Sequence, residues 1–188
     1  MRIPRRKFLS MLAAGGTSSA LSQSLSAQAS KPAPSSARAA AAMLRGDPWL
    51  EISKANLVWN FRQIQSRVGG KPVMAVIKAN AYGHGLVGVA RALEAAGAKH
   101  FLVGKLDEAL ELRSAGLGAH ILNFGPWSDA DAADILRLSI SQTVYTDQVQ
   151  ALDRAARLLG PHARARVHIK VDTGLGRFGV PHDRAFEF

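Results

Sequence analysis

The sequence contains no cysteine, few aromatic side chains and fewer acidic than basic residues. Without cysteine, neither a disulfide framework nor thiolate chemistry is available to the protein. The 188 residues include 24 lysines and arginines against 14 aspartates and glutamates, a formal net charge of +10. The basic residues are scattered among acidic ones, whereas a nucleic-acid surface requires basic clusters interleaved with aromatic residues. The sequence therefore argues against nucleic-acid binding, and we expect the positive charge on a solvated surface.

Part of the charge imbalance lies in residues 1–29, which hold basic residues and no acidic one. A twin arginine, Arg5-Arg6, precedes a weakly apolar segment at residues 11–25 that is rich in Ala, Ser and Gly. This pattern predicts a twin-arginine signal peptide over residues 1–29, cleaved between Ala29 and Ser30, and a periplasmic protein. The apolar segment is too short and too polar to be a stable membrane anchor. The alternative is a disordered basic tail.

Residues 30–47 form a low-complexity linker rich in Ala, Pro and Ser, and the folded part is expected from residue 48, with a short strand at 49–52. From there, apolar runs of strand length alternate with segments of helical period. The predicted strands are residues 73–77, 101–103, 121–124, 142–145 and 166–171. The predicted helices are residues 55–68, 86–96, 106–115, 129–138 and 147–159. This alternation predicts an α/β fold with a parallel sheet, as a barrel or an open doubly wound sheet. No Gly-x-Gly-x-x-Gly follows the first strand, which argues against a dinucleotide-binding fold.

The strand at residues 73–77 is the main candidate for a functional strand. Its five apolar residues predict burial on both faces, and the run ends on Lys78. The carboxyl end of a parallel strand is where α/β folds place their chemistry. A lysine held against an apolar wall is easily deprotonated and can form a Schiff base. The alternative role for Lys78 is a buried salt bridge.

Residues 76–85 (VIKANAYGHG) resemble the cofactor-lysine signature of the alanine racemases, which are fold-type III pyridoxal-phosphate (PLP) enzymes. The resemblance implies that Lys78 holds PLP and acts as one of two bases at the substrate Cα. It also implies that the Tyr82 hydroxyl binds the cofactor phosphate, although a tyrosine here could instead pack at a barrel rim. His84 lies in the same turn without a second ligand at useful spacing, so we predict no metal site.

Residues 168–179 (HIKVDTGLGRFG) resemble the second signature of the same family. Lys170 falls on a lysine that is often carbamylated, and Arg177 on the arginine that the carbamate orients towards the substrate carboxylate. A planar guanidinium suits carboxylate recognition. The alternative is a surface turn with a solvated arginine.

Residues 107–113 (DEALELR) also resemble the family. We interpret them as the outer face of a barrel helix, with Glu108, Leu112 and Ala115 on one surface. No chemistry is expected there.

The resemblance covers roughly residues 48–180 and implies part of a (β/α)8 barrel, with about five of eight βα units. The family's C-terminal β domain is missing, and with it the second base, a tyrosine from the partner subunit of a homodimer. We therefore expect the sequence to represent the N-terminal portion of a longer enzyme, as a fragment or a truncated gene.

The function implied is PLP-dependent interconversion of L- and D-alanine, with a broader amino-acid range suggested by the export signal. Two alternatives stay open. The first is another fold-type III enzyme, such as a D-threonine aldolase. The second is a non-catalytic PLP-binding fragment or decayed racemase.

Overall fold

The structure is a computed structural model that describes residues 50–188. The predicted leader (residues 1–29) and linker (residues 30–47) lie outside the described residues. The helices are α1 (Lys54–Arg67), α2 (Leu86–Ala95), α3 (Leu106–Ser114), α4 (Ala132–Arg137) and α5 (Val149–Leu159). The strands are β1 (Met74–Val76), β2 (His100–Val103), β3 (His120–Asn123), β4 (Ile140–Val144), β5 (Val167–Ile169), β6 (Val171–Asp172) and β7 (Val180–Pro181).

The first five strands form one parallel sheet in the order β1-β2-β3-β4-β5. Each strand is therefore hydrogen-bonded to its neighbours in the chain. A doubly wound sheet reverses its strand order at a switch point, and this sheet has no reversal. The α/β prediction is confirmed, and the winding is that of a barrel wall.

The two faces of this sheet differ in what they contact, because side chains alternate along each strand. One face packs against the helices and carries the core, with Phe101, Ile121 and Ile140 almost fully buried. We call the other face, which holds Leu102, Leu122 and Thr143, the inner face. Burial of a large apolar side chain stabilises a fold by about 1.5–3 kcal/mol, so the helix-covered face holds most of the stabilising contacts.

The sequence of helix α3 explains both where the helix begins and which of its faces packs against the sheet. Its acidic residues Asp107 and Glu108 lie in the first turn, where they complement the helix dipole. Leu106, Ala109 and Leu112 are spaced three residues apart, and all three are buried in the core. Helix α1 instead begins at a side-chain cap, where Asn56 N donates to Ser53 Oγ at 3.3 Å.

Two strand predictions are wrong. Residues 50–52 form no strand, and Leu50 is 64% exposed. Strand β1 is not buried on both faces, because Val76 is 44% exposed. The reason is its position, since among residues 50–188 β1 is an edge strand of the sheet and pairs with β2 alone.

The opposite edge, β5, also differs from the prediction. The strand stops at Ile169 and a separate short strand starts at Val171, so Lys170 lies between two elements. Val167 and Ile169 are 41% and 56% exposed on the face that helices cover elsewhere. Apolar periodicity does not reveal which strand lies at an edge.

The amino-terminal end of the sheet is closed by two charged side chains. The Arg113 guanidinium donates hydrogen bonds to the carbonyls of Leu117, Ala119, Leu138 and Ser139, at 2.7–3.3 Å. A carboxylate oxygen of Glu94 accepts from the backbone N–H groups of Gly118 and Ala119, both at 3.1 Å. The loop before β3 is therefore held from both sides.

No helix between residues 50 and 188 has the length and apolar character needed to cross a bilayer.

Candidate active site

Lys78 lies two residues beyond the last residue of β1, at the carboxyl end of the sheet. The Ile77 amide donates to the Leu102 carbonyl at 2.9 Å and carries the β1–β2 pairing up to the lysine. A Cβ added to Gly104 would lie 3.1 Å from the Lys78 Cβ and 3.6 Å from its Cδ. Glycine at position 104 therefore leaves the space that the lysine side chain passes through. Lys78 is half-buried, and within residues 50–188 its ammonium forms no ion pair.

The chain leaves Lys78 through a left-handed helical turn that contains no glycine. Ala79, Asn80, Ala81 and Tyr82 have φ values of 54°, 56°, 52° and 55°. This conformation costs roughly 1–2 kcal/mol per L-residue, so the surrounding structure must hold the turn. The turn is closed by Gly83, whose amide bonds the carbonyls of Ala79 and Asn80. Tyr82 projects from it with 59% of its surface exposed.

Glu108 holds this turn, which corrects the prediction that it lies on an outer helix face. One carboxylate oxygen accepts from the Asn80 amide at 2.8 Å, and the other from the Gly104 amide at 3.0 Å. The Asn80 side chain accepts in turn from the Leu86 amide at the start of α2, at 2.8 Å. Leu112 is fully buried in the core and does not share a solvent face with Glu108.

A buried amide pair supports the next loop along the sheet. Asn123 Nδ2 donates to Gln142 Oε1 at 2.9 Å, and both side chains are fully buried. Gln142 Nε2 also donates to the Gly125 carbonyl at 3.1 Å, while the Gly125 amide donates to Asn123 Oδ1 at 3.2 Å. A side-chain carbon on Gly125 would overlap the carbonyl of Gly104. The loop after β2, which holds Gly104, and the loop after β3, which holds Gly125, are therefore in backbone contact beside Lys78.

Lys170 and Arg177 lie beside aromatic side chains at the β5 edge. The Lys170 ammonium is 5.2 Å from the centre of the Phe124 ring, and the Arg177 guanidinium is 5.9 Å from that of Phe178. Phe178 packs against Tyr145 with ring centres 5.8 Å apart. Cation–π contacts at these distances are favourable and orient both cations.

Asp172 organises the loop that carries Arg177. Its carboxylate accepts from the amides of Gly174 at 3.0 Å and Gly176 at 2.8 Å. The hydrogen bond from Gly174 is the main cause that lowers the pKa of this carboxyl, and those from Gly176 and Leu175 act in the same direction. The loop is therefore held by a carboxylate in its charged form.

Three histidines lie on the inner face, nearer the amino-terminal end of the sheet. The His100 and His120 rings are 5.4 Å apart, and the His120 and His168 rings 6.3 Å apart. Burial, and then repulsion from the other two histidines, Arg166 and Arg113, lowers the pKa of His120. Among residues 50–188, no group of three or more His, Asp or Glu side chains could hold a metal ion.

The four predicted site residues all lie at the carboxyl end of the sheet. Lys78 and Tyr82 share one turn after β1, and Lys170 and Arg177 share the segment after β5. The two pairs are at opposite edges of the sheet, and no ion pair within residues 50–188 joins them. PLP requires an amine that binds its aldehyde and a hydroxyl or cationic group that binds its phosphate. An amino-acid substrate requires in addition a cation that binds its carboxylate. The side chains present, and the space that Gly104 leaves beside Lys78, fit that group.

Comparison with known proteins decides the family. The family model described as "Alanine racemase, N-terminal domain" matches residues 52–188. The chain belongs to the alanine racemase family. Its relatives include alanine racemase of Desulforamulus reducens, 43% identical over 136 residues, covering 72% of this chain and 36% of the relative. Alanine racemase 1 of Oceanobacillus iheyensis is 40% identical, covering 71% and 36%. The chain therefore spans about a third of the length of the curated relatives it matches.

Solved structures of this family share the fold. An alanine racemase from Clostridium difficile 630 aligns with a TM-score of 0.64 at 36% identity, covering 68% of this chain and 33% of that chain. An alanine racemase from a D-cycloserine-producing Streptomyces lavendulae aligns with a TM-score of 0.65 at 34% identity, covering 71% and 35%. The prediction of a partial barrel is confirmed.

Sequence reasoning missed several residues that shape this end of the sheet. The role of Asp172 could have been predicted from the sequence, because an aspartate with glycine two and four residues later is typical of a turn closed by its side chain. Gly104 and Gly125 had a weaker sequence signal, as glycines that directly follow predicted strands mark close approaches of the backbone. Glu108 had none, since its partner Asn80 lies 28 residues away in the chain.

Proposed function

We propose that the protein holds PLP on Lys78 and interconverts L- and D-alanine. The observation that carries this proposal is the position of Lys78 at the carboxyl end of β1, beside the space that Gly104 leaves open. Membership of the alanine racemase family supports it. PLP, when bound, supplies the electron sink that makes the α-proton of an amino acid removable.

The four predicted site residues each have a proposed role. The Lys78 amine holds the cofactor, then removes or returns the proton at the substrate Cα. The Tyr82 hydroxyl projects from the same turn and binds the cofactor phosphate. Arg177 pairs with the substrate carboxylate through its planar guanidinium. Lys170 is a candidate for carbamylation, and a carbamate there would add a negative charge to orient Arg177.

Racemisation needs a second group on the opposite face of Cα. We propose that a tyrosine of a partner subunit supplies it, so that the active enzyme is a homodimer. Sedimentation or light scattering measures the subunit number directly, and a monomer that racemises alanine would contradict this part of the proposal.

Labelling of Lys78 tests the proposal. The purified protein is incubated with PLP, reduced with borohydride and digested, and the modified lysine is found by mass spectrometry. We expect the label on Lys78, and a PLP absorbance band that is lost in Lys78→Ala. Lys71→Ala is the matched control, because Lys71 is exposed just before β1. A band of equal strength in Lys78→Ala would contradict the assignment.

The same sample separates the racemase from the alternatives. Appearance of D-alanine from L-alanine, with solvent deuterium at Cα, supports racemisation. A PLP label on Lys78 in a homodimeric sample, without turnover of alanine or of a panel of other amino acids, supports a non-catalytic PLP-binding protein. Turnover of several amino acids at comparable kcat/KM supports the broader specificity that the leader suggests.

We also propose export to the periplasm by the twin-arginine route. Support comes from the sequence alone, through Arg5-Arg6 and the Ala-x-Ala site that ends at Ala29. Amino-terminal sequencing of protein from the periplasmic fraction should begin at Ser30. Replacement of both arginines by lysine should leave the uncleaved chain in the cytoplasm, and unchanged export would contradict the proposal.

A further inference from the structure

The turn that carries Tyr82 is an unfavourable one for its sequence. Four successive residues, Ala79 to Tyr82, have positive φ values and none is glycine. Elsewhere within residues 50–188, Ser139 is the only other non-glycine residue with positive φ. A conformation of this kind persists only where its surroundings hold it.

Glu108 provides that hold from another helix. Its two carboxylate oxygens divide between the Asn80 amide, at 2.8 Å, and the Gly104 amide, at 3.0 Å. Hydrogen bonds to an ionised acceptor are roughly twice as strong as neutral ones. The carboxylate thus ties the middle of the left-handed turn to the loop after β2.

The two amides both belong to backbone next to Lys78. Asn80 is two residues after the lysine in the chain, while Gly104 lies against the lysine side chain itself. Movement of either would change the direction in which the amine points. Glu108 therefore fixes both the backbone that carries Lys78 and the wall beside it.

We propose that Glu108 is a positioning residue that sets the Lys78 amine for cofactor attachment, acting through the Asn80 and Gly104 amides. This inference rests on the proposed function, in which Lys78 carries PLP. Glu108 does not touch the reacting atoms, and its effect passes through the backbone.

A purely structural role for Glu108 makes a different prediction. Glu108 lies in the first turn of α3, where any carboxylate stabilises the helix dipole. Asp107 lies in the same turn and is exposed. Asp107→Asn therefore removes an equal charge from the same helix end and serves as the matched control for Glu108→Gln.

The first measurement needs no cofactor. Amide hydrogen exchange at Asn80 and Gly104 is followed by NMR in the 188-residue chain and in both variants. Glu108→Gln should accelerate exchange at one of the two amides by about tenfold or more, because the glutamine amide has one acceptor oxygen and presents its NH2 group to the other N–H. Asp107→Asn should change it by less than about twofold, as expected for a small dipole effect. Unchanged exchange in Glu108→Gln, or equal acceleration in both variants, would overturn the proposal.

The second measurement is the PLP concentration that half-labels Lys78 under borohydride. We expect Glu108→Gln to raise it on the order of tenfold, with no change in Asp107→Asn. Equal half-labelling in Glu108→Gln and wild type would overturn the proposal. No labelling of wild-type Lys78 would instead contradict the proposed function, and amide exchange would still decide whether Glu108 holds the turn.

A rescue variant covers the case in which Glu108→Gln alone fails to fold. Ala79 is exposed and has φ of 54°, so glycine adopts its conformation without the penalty of a Cβ. Adding Ala79→Gly to Glu108→Gln should restore part of the Lys78 labelling. No gain from this glycine, in a double variant that folds, would overturn the proposal.

Discussion

The side chain of Lys78 lies directly against Gly104, with only 3.1 Å between the lysine Cβ and the position that a Cβ on the glycine would take. The loop after β2 therefore forms a wall against the lysine side chain. Gly104 is itself in backbone contact with Gly125, so the wall cannot recede without moving the loop after β3.

Gly104→Ala should displace Lys78. A contact of 3.1 Å is tighter than ordinary packing, and the atom that must yield is the Lys78 Cβ, which is bonded directly to the backbone. We expect half-labelling of Lys78 to need several-fold more PLP, with a loss of stability of about 1–3 kcal/mol. Labelling by mass spectrometry and thermal unfolding measure the two effects.

Gly118→Ala is the control for this substitution. Gly118 lies in the loop before β3, and the nearest neighbour for a new Cβ there is Glu94 Oε1 at 4.0 Å, an ordinary contact. We expect normal labelling of Lys78 in this variant. Loss of labelling in both variants would mean that the Gly104 contact has no special role.

The sequence predicted those features of the site that depend on residues adjacent in the chain. Lys78 was placed correctly because an apolar run ending on a lysine puts that lysine at the carboxyl end of a strand. The left-handed turn after it was not predictable, since alanine disfavours that conformation and only the distant Glu108 explains it. The exposure of Val76 escaped prediction for a related reason, because burial depends on neighbouring strands.

Asp172→Asn should loosen the loop that carries Arg177. An amide offers one acceptor oxygen, so it cannot accept from both Gly174 and Gly176 as the two carboxylate oxygens do. We expect amide exchange at one of these glycines to accelerate about threefold or more. Asp183→Asn, an exposed aspartate in the following turn, should leave both exchange rates unchanged.

The same carboxylate gives this loop a pH dependence. Hydrogen bonds from the Gly174 amide and its neighbours lower the pKa of Asp172 in the folded chain. The stabilisation is therefore fully present above the ordinary aspartate pKa of about 3.9, and is lost as pH falls through the lowered value. A constant protection factor at Gly174, meaning its exchange rate relative to an unfolded chain at the same pH, from pH 5 to the acid limit of folding would contradict this assignment.

His120 should make the folded chain less stable at mildly acidic pH. Burial and the charges of His100, His168 and two arginines lower its pKa in the fold. As pH falls through the ordinary histidine pKa of about 6.5, His120 binds a proton in the unfolded chain before it does so in the folded chain. The free energy of unfolding should therefore decrease between pH 7 and pH 5.

Replacement of this histidine tests the assignment. His120→Asn should reduce that decrease, measured by urea unfolding at a series of pH values. His182→Asn should leave the decrease unchanged, because His182 is exposed in a turn near the end of the chain. Equal pH dependence in wild type and His120→Asn would show that other groups cause it.

Arg113 should be the most important charged residue for stability at the amino-terminal end of the sheet. Its guanidinium donates to four backbone carbonyls in two loops, before β3 and before β4. Arg113→Ala should lower the free energy of unfolding by about 2–4 kcal/mol, because several partly buried carbonyls lose a charged donor. Arg113→Lys keeps the charge but lacks the planar fork, and should recover less than half of the loss.

Arg137→Ala is the matched control, since Arg137 forms an exposed ion pair with Asp134 at 3.6 Å. Such pairs contribute about 0–1 kcal/mol, so equal losses in the Arg113 and Arg137 variants would contradict the prediction.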